Sequence, residues 1–137
     1  MNKHLVFVYG TLRRGGLRSM PDLFPGARFV GRAEVGGSLY DLGAHPGLLL
    51  DASGSSVTGE VYEIDDAMLN ELDAIEAPSH YRREQVEASL GDHRTTCWVY
   101  GPDPEFYPRR TLITSGDWIE YAKTKTDWPE DARPEEA

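Results

Sequence analysis

Only one stretch of this 137-residue chain has secure helical spacing. Met68, Leu69, Leu72 and Ile75 put apolar side chains on one face, and Pro78 stops the run because proline lacks a donor and crowds the preceding turn. Asp65 or Asp66 stands at its start, where a short acidic side chain accepts from the free N–H groups of the first turn. Around this helix lie five or six strand-like runs, so no regular strand–helix alternation can be built. The pattern predicts a compact, strongly curved sheet or a small barrel with excursions.

Residues 5–9 form a continuous apolar and aromatic run suited to a central strand, and Gly10 ends it. Residues 15–26, with Gly15, Gly16, Pro21 and Pro25, read as a long loop with one helical turn near Ser19. Residues 28–42 have strand composition broken by Gly31, Gly36 and Gly37, as a bulged or tightly bent strand requires. A turn follows at 42–47 and a polar loop at 51–56. Residues 57–64 return to a strand, with Thr58, Glu60, Tyr62 and Ile64 on one face and Val57, Gly59, Val61 and Glu63 on the other. Residues 84–90 and 94–100 form a hairpin around Gly91-Asp92-His93, with Trp98 and Tyr100 on an aromatic face. A proline-punctuated loop leads to a strand-like run at 111–114, and Ser115-Gly116-Asp117-Trp118 precedes a short helix at about 119–122. Beyond Lys123 only Trp128 is strongly apolar, so one domain is expected over 1–123 and a dispensable acidic tail over 124–137.

Charge narrows the partners. Residues 1–60 hold six basic and five acidic side chains, whereas the remainder holds eight and eighteen, for a net charge of -9. Such a chain is repelled by polyanions, so no nucleic-acid partner is expected. No apolar run reaches the roughly 20 residues that span a bilayer, and the short apolar start followed by Arg13 and Arg14 does not make a signal peptide. The expected compartment is therefore the cytoplasm, with no membrane partner. The single Cys97 excludes an internal disulfide and, lying in a strand-like run, reads as buried packing. His4, His45, His80 and His93 have no metal-ligand spacing, so no metal and no cofactor are expected. Arg13, Arg14 and Arg18 read either as a local attractor for a small anion or as a solvated loop surface.

Two segments carry chemistry. In Val8-Tyr9-Gly10-Thr11-Leu12-Arg13 a strand turns abruptly into a glycine-containing loop, where N–H groups of Gly10, Thr11 and Leu12 can hold a carboxylate or a developing oxyanion. Tyr9 reads as part of that cradle or as ordinary core. In Leu72-Asp73-Ala74-Ile75-Glu76-Ala77-Pro78 an acid stands beside apolar residues at the helix end. Glu76 reads either as a proton-transfer carboxylate, its pKa raised from about 4.3 by partial burial, or as a helix-surface residue paired with Arg82 or Arg83. Asp73, three residues earlier, can share its face, but no sugar platform accompanies the pair, and a glycosidase is not the reading. Tyr81 and Tyr100 are candidates for a pocket wall as well as for core.

These segments resemble the gamma-glutamylcyclotransferase-like superfamily, in particular its small bacterial and gamma-glutamylamine cyclotransferase-like branch. The resemblance rests on Tyr9-Gly10-Thr11-Leu12-Arg13, Tyr40-Asp41-Leu42-Gly43 with Pro46, Gly59-Glu60-Val61-Tyr62, Leu72-Asp73-Ala74-Ile75-Glu76 with Tyr81 and Arg82, Trp98-Val99-Tyr100 and Ser115-Gly116-Asp117-Trp118, in that order over about residues 5–121. It implies an α+β fold, a small mixed barrel with short flanking helices. It also implies Glu76 as general acid/base and residues 9–12 around the glutamyl head of a small gamma-glutamyl amine or peptide. The implied product is 5-oxoproline. Ala77 stands where the family commonly has glycine, a replacement that fits unless φ is positive there.

Overall fold

The computed structural model describes residues 2–16, 18–51 and 54–129. In chain order the elements are β1 (Lys3–Val8), α1 (Met20–Leu23), β2 (Arg28–Gly36), β3 (Ser38–Asp41), β4 (Pro46–Leu49), β5 (Ser56–Asp65), α2 (Asp66–Glu76), β6 (Tyr81–Leu90), β7 (His93–Pro102), β8 (Thr111–Leu112) and α3 (Trp118–Ala122). Five strands close into a barrel in the order β1-β5-β2-β6-β7, and β4-β3-β8 form a second sheet. Every barrel pairing is antiparallel except β1 with β7, where Val6 faces Trp98 and Phe7 faces Val99. That parallel seam makes the barrel mixed. The fold is α+β.

Alternation decides which side of the barrel each residue serves. Phe7, Val35, Val57, Val61, Cys97 and Val99 fill the interior, which Ile113 and Trp118 help to close. Val6, Val8, Tyr62, Ile64, Tyr81 and Tyr100 point outward under Leu69 and Leu72 of α2. The helix starts where Asp65 accepts from the Met68 N–H at 2.9 Å, and it ends one residue before a 3-10 turn at Ala77–Ser79 that contains Pro78. Gly59 is demanded by packing: a Cβ there would lie 2.3 Å from the Val8 carbonyl oxygen and 2.6 Å from the Phe7 ring.

Several boundaries differ from the sequence pattern. The run at 28–42 divides at Gly37 (φ +151) into β2 and β3, and β2 carries its irregularity between Phe29 and Gly31. The sequence pattern does not announce β4; four residues are too few to show a period, and it is defined by pairing, from Ser38 opposite Leu49 to Asp41 opposite Pro46. The hairpin is longer at both ends, running from Tyr81 opposite Pro102 to Leu90 opposite His93.

Residues 124–129 of the expected tail pack onto the domain, whereas 130–137 lie outside the described residues. The Lys125 ammonium is buried and donates to Asp41 at 2.9 Å and to Asp127 at 2.7 Å. Trp128 meets Trp118 edge to face at 5.7 Å. A cation that finds a buried carboxylate and an indole that finds a buried ring place this segment with the domain, beyond the boundary drawn at 123.

Candidate active site

β1 delivers the chain to residue 9 at one end of the barrel, and α2 delivers Glu76 to the same place from the outer face. Between them lies a cavity of about 290 Å³. Glu76, Tyr9, Gly10, Thr11, Leu12, Tyr81 and Tyr100, the seven residues singled out from sequence, all line it. Arg18, His45, Pro46 and Ser79 line it too.

The cradle is built by hydrogen bonds that use carbonyls and leave amides. The carbonyl oxygens of Gly10, Thr11 and Leu12 accept from the N–H groups of Arg13 (3.0 Å), Arg18 (3.0 Å) and Met20 (2.8 Å). Among the described residues, none accepts from the N–H groups of Gly10, Thr11 or Leu12. Polar backbone donors beside a cavity need an acceptor, and an anionic one suits them best. Gly10 must lack a side chain here, because a Cβ would sit 2.5 Å from Cγ of Pro46.

Three tyrosines form the wall, and their hydroxyls hold it in place. Tyr9 donates to the Tyr100 carbonyl at 2.7 Å and accepts from the Leu48 N–H at 3.0 Å. Tyr81 donates to the Pro46 carbonyl at 2.6 Å, with His45 Nδ1 2.7 Å from its hydroxyl oxygen. Tyr100 donates to Asp73 at 2.6 Å. Burial pushes all three phenols well above their ordinary range, so they stay neutral. Each is therefore at once core and wall, and the two readings open from sequence merge. Burial likewise pushes His45 down, leaving it uncharged at neutral pH. In the sequence His45 is one residue of a turn at 42–47; only its contact with Tyr81, 36 positions away, brings it to the cavity.

Two carboxylates compete for the role of free acid, and partners decide between them. Arg83 Nε donates to both oxygens of Asp73 at 2.9 and 3.2 Å, and Tyr100 donates to Asp73 as well. The Glu76 carboxylate forms neither a hydrogen bond nor an ion pair with any described residue. Burial raises its pKa above the usual carboxylate range, opposed by the positive charge of Arg18. The arginine pairing considered for Glu76 thus belongs to Asp73. Ala77 has φ -57, so the position after Glu76 needs no glycine.

The other chemical candidates are structural. Cys97 is buried and its thiol is pushed up to about 11, chiefly by burial. The three-arginine group separates: Arg13 is buried, Arg14 lies 3.9 Å over the Phe29 ring, and Arg18 lines the cavity. Among the described residues, no three His, Cys, Asp or Glu side chains converge as metal ligands.

Comparison with known proteins shows the family. The family model for gamma-glutamyl cyclotransferase, AIG2-like, matches residues 6–120. A Vibrio cholerae protein named "Putative gamma-glutamylcyclotransferase" is 41% identical over 121 residues, covering 86% of this chain and 97% of its own. The gamma-glutamylcyclotransferase family protein YtfP of Escherichia coli is 34% identical over 126 residues, covering 86% and 98%. Among solved structures, an AIG2-like protein from mouse superposes with a TM-score of 0.71 at 30% identity, covering 86% of this chain and 89% of that one. YkqA of Bacillus subtilis superposes with a TM-score of 0.75 at 27% identity, covering 91% and 44%. Matched along most of its length by the model and by these relatives, the chain belongs to the AIG2-like gamma-glutamyl cyclotransferase family.

Proposed function

We propose that this protein cyclises the gamma-glutamyl group of a small gamma-glutamyl amine or peptide to 5-oxoproline and releases the amine, without cofactor or metal. The observation that carries the reading is the unpaired, half-buried Glu76 in the same cavity as the free N–H groups of residues 10–12.

The substrate brings its own nucleophile. Its α-amine nitrogen attacks the γ-carbonyl carbon, forming the ring C–N bond, while Glu76 takes a proton from that amine. The tetrahedral centre then collapses: the bond to the leaving nitrogen breaks, and Glu76 returns the proton to that nitrogen. Protons and electrons balance within the site, and a single carboxylate serves both as base and as acid. A raised pKa suits both halves of this cycle. The N–H groups of Gly10, Thr11 and Leu12 hold the glutamyl carboxylate or the oxyanion, and the rings of Tyr9, Tyr81 and Tyr100 enclose the bent head. Holding amine and carbonyl together removes much of the entropic barrier. The proposal keeps a small neutral-to-anionic compound as partner and the cytoplasm as compartment.

The test is a panel of gamma-glutamyl amines and gamma-glutamyl dipeptides incubated with the folded protein, with 5-oxoproline quantified by mass spectrometry. Product from at least one class is expected. Saturable binding without product would instead identify a non-catalytic binding module on the same fold, and neither binding nor product would refute the reading.

A further inference from the structure

Behind the cradle lies a set of buried charges that the proposed chemistry does not use. Arg13 and Glu60 are 6% and 5% exposed, inside a domain whose other buried residues are mostly apolar. Arg13 Nη1 donates to Asp117 Oδ1 at 2.8 Å, and its Nε stands 3.5 Å from Glu60 Oε2, too long to be hydrogen-bonded. Glu60 Oε1 accepts from the Arg14 N–H at 3.0 Å and from the Tyr62 hydroxyl at 2.9 Å. Asp117 Oδ1 also accepts from the Glu120 N–H at 3.2 Å, capping α3.

We propose that Arg13 is the positioning residue of the cradle: clamped between Glu60 on β5 and Asp117 at the start of α3, it fixes the direction in which the N–H groups of Gly10, Thr11 and Leu12 point. Three observations connect the clamp to the site. The Arg13 N–H donates to the Gly10 carbonyl, closing residues 10–13 into one hydrogen-bonded turn. The far side of the turn is held by Glu60 through the Arg14 amide, so the loop is gripped by backbone and side chain together. At the near side Tyr9 is tied to Leu48 and Tyr100. A segment fastened at both ends keeps its amides aligned, and donors aligned in advance need no reorganisation as charge develops.

Stability alone does not account for the set. Replacing buried ion pairs by apolar groups is often neutral or stabilising, whereas their directed hydrogen bonds define a geometry. A buried Nε without a hydrogen bond is a further sign that the set is shaped by the position of the loop and not by its own best pairing.

The cradle amides can be observed without any substrate, so the experiment does not depend on the proposed reaction. In the neutral triple variant Arg13→Met/Glu60→Gln/Asp117→Asn no lone charge is left buried. Its backbone amide NMR signals at Gly10, Thr11 and Leu12 should shift and exchange faster, with amides of β6 and β7 unmoved. With a turned-over substrate, kcat/KM should fall by roughly 100-fold, mainly through kcat, as expected when donors that meet developing charge are displaced by about 1 Å. The pH limb assigned to Glu76 should stay in place. Arg13→Lys keeps the charge balance but cannot bridge both acids, and it should show the same changes to a smaller degree; it decides the matter if the triple variant does not fold. A folded variant with unmoved cradle amides would overturn the proposal, as would wild-type kcat/KM. Absence of turnover in the wild type would count against the cyclisation reading and leave the amide result to decide the clamp.

Discussion

Lys125→Met isolates the contribution of the C-terminal segment to the domain. The Lys125 side chain is 1% exposed and that of Asp41 is 6% exposed. Burial works against the ammonium, but hydrogen bonds to Asp127 and Asp41 outweigh it and keep Lys125 charged. Methionine fills the volume and removes the charge, stranding Asp41 in the interior. Breaking one side of a buried pair costs about 3–5 kcal/mol. Asp41 keeps two donors, the Tyr121 hydroxyl at 2.6 Å and the Gly43 N–H at 2.8 Å, which puts the expectation at the low end, about 3 kcal/mol. Unfolding entropy for 137 residues is about 0.3 kcal/mol/K, so Tm should drop by about 10 °C. Differential scanning calorimetry at neutral pH and moderate salt reads this directly. Adding Asp41→Asn should recover most of the loss, because the double variant strands no charge. The turn after Asp41 also carries His45 and Pro46 to the cavity wall, so the single variant should show weaker ligand binding well below its melting temperature. A Tm change under about 2 °C would refute the reasoning and return this segment to the status of a loose tail.

Three other outcomes follow from the site and the core. Glu76→Gln should reduce 5-oxoproline formation by about 100-fold or more while the protein stays folded, checked by initial rates at matched protein concentration. It should also raise Tm at neutral pH. With the native pKa above the unfolded one, the charged form costs stability above the native pKa, and that cost is relieved as pH falls through it. The Tm gain should therefore shrink on acidification and vanish below the unfolded value of about 4.3, as melts over a pH series would show. Gly10→Ala should cost about 1–3 kcal/mol and weaken ligand binding, since the new methyl must displace Pro46; urea unfolding and ligand titration measure the two effects. Native Cys97 should resist a thiol reagent at pH 8 and label fully in denaturant, because burial both blocks access and holds the thiol protonated.

Part of this protein is local and legible in the chain itself. The two faces of β5 follow from a period of two, and α2 is bounded by an acid that caps it and a proline that cannot continue it. The resemblance of the ordered motifs to the gamma-glutamylcyclotransferase-like superfamily implied one site for residues 9–12 and Glu76, and the structure brings them to one cavity. What only tertiary structure decided is partnership. Asp73 and Glu76 share a helix end, and nothing local distinguishes them; the distinction arises because β6 carries Arg83 to Asp73, ten positions away. Arg13, Arg14 and Arg18 looked alike as a cluster, yet the fold buries one, stacks one on Phe29 and leaves one at the cavity. β4 and the docked segment at 124–129 carry too little periodicity to announce themselves. They are held by pairing with β3 and by an ion pair spanning 84 residues, contacts that exist only once the barrel has closed. Hydrophobic period is a property of neighbours in sequence, whereas the state of a buried charge is set by whichever chain segment arrives beside it.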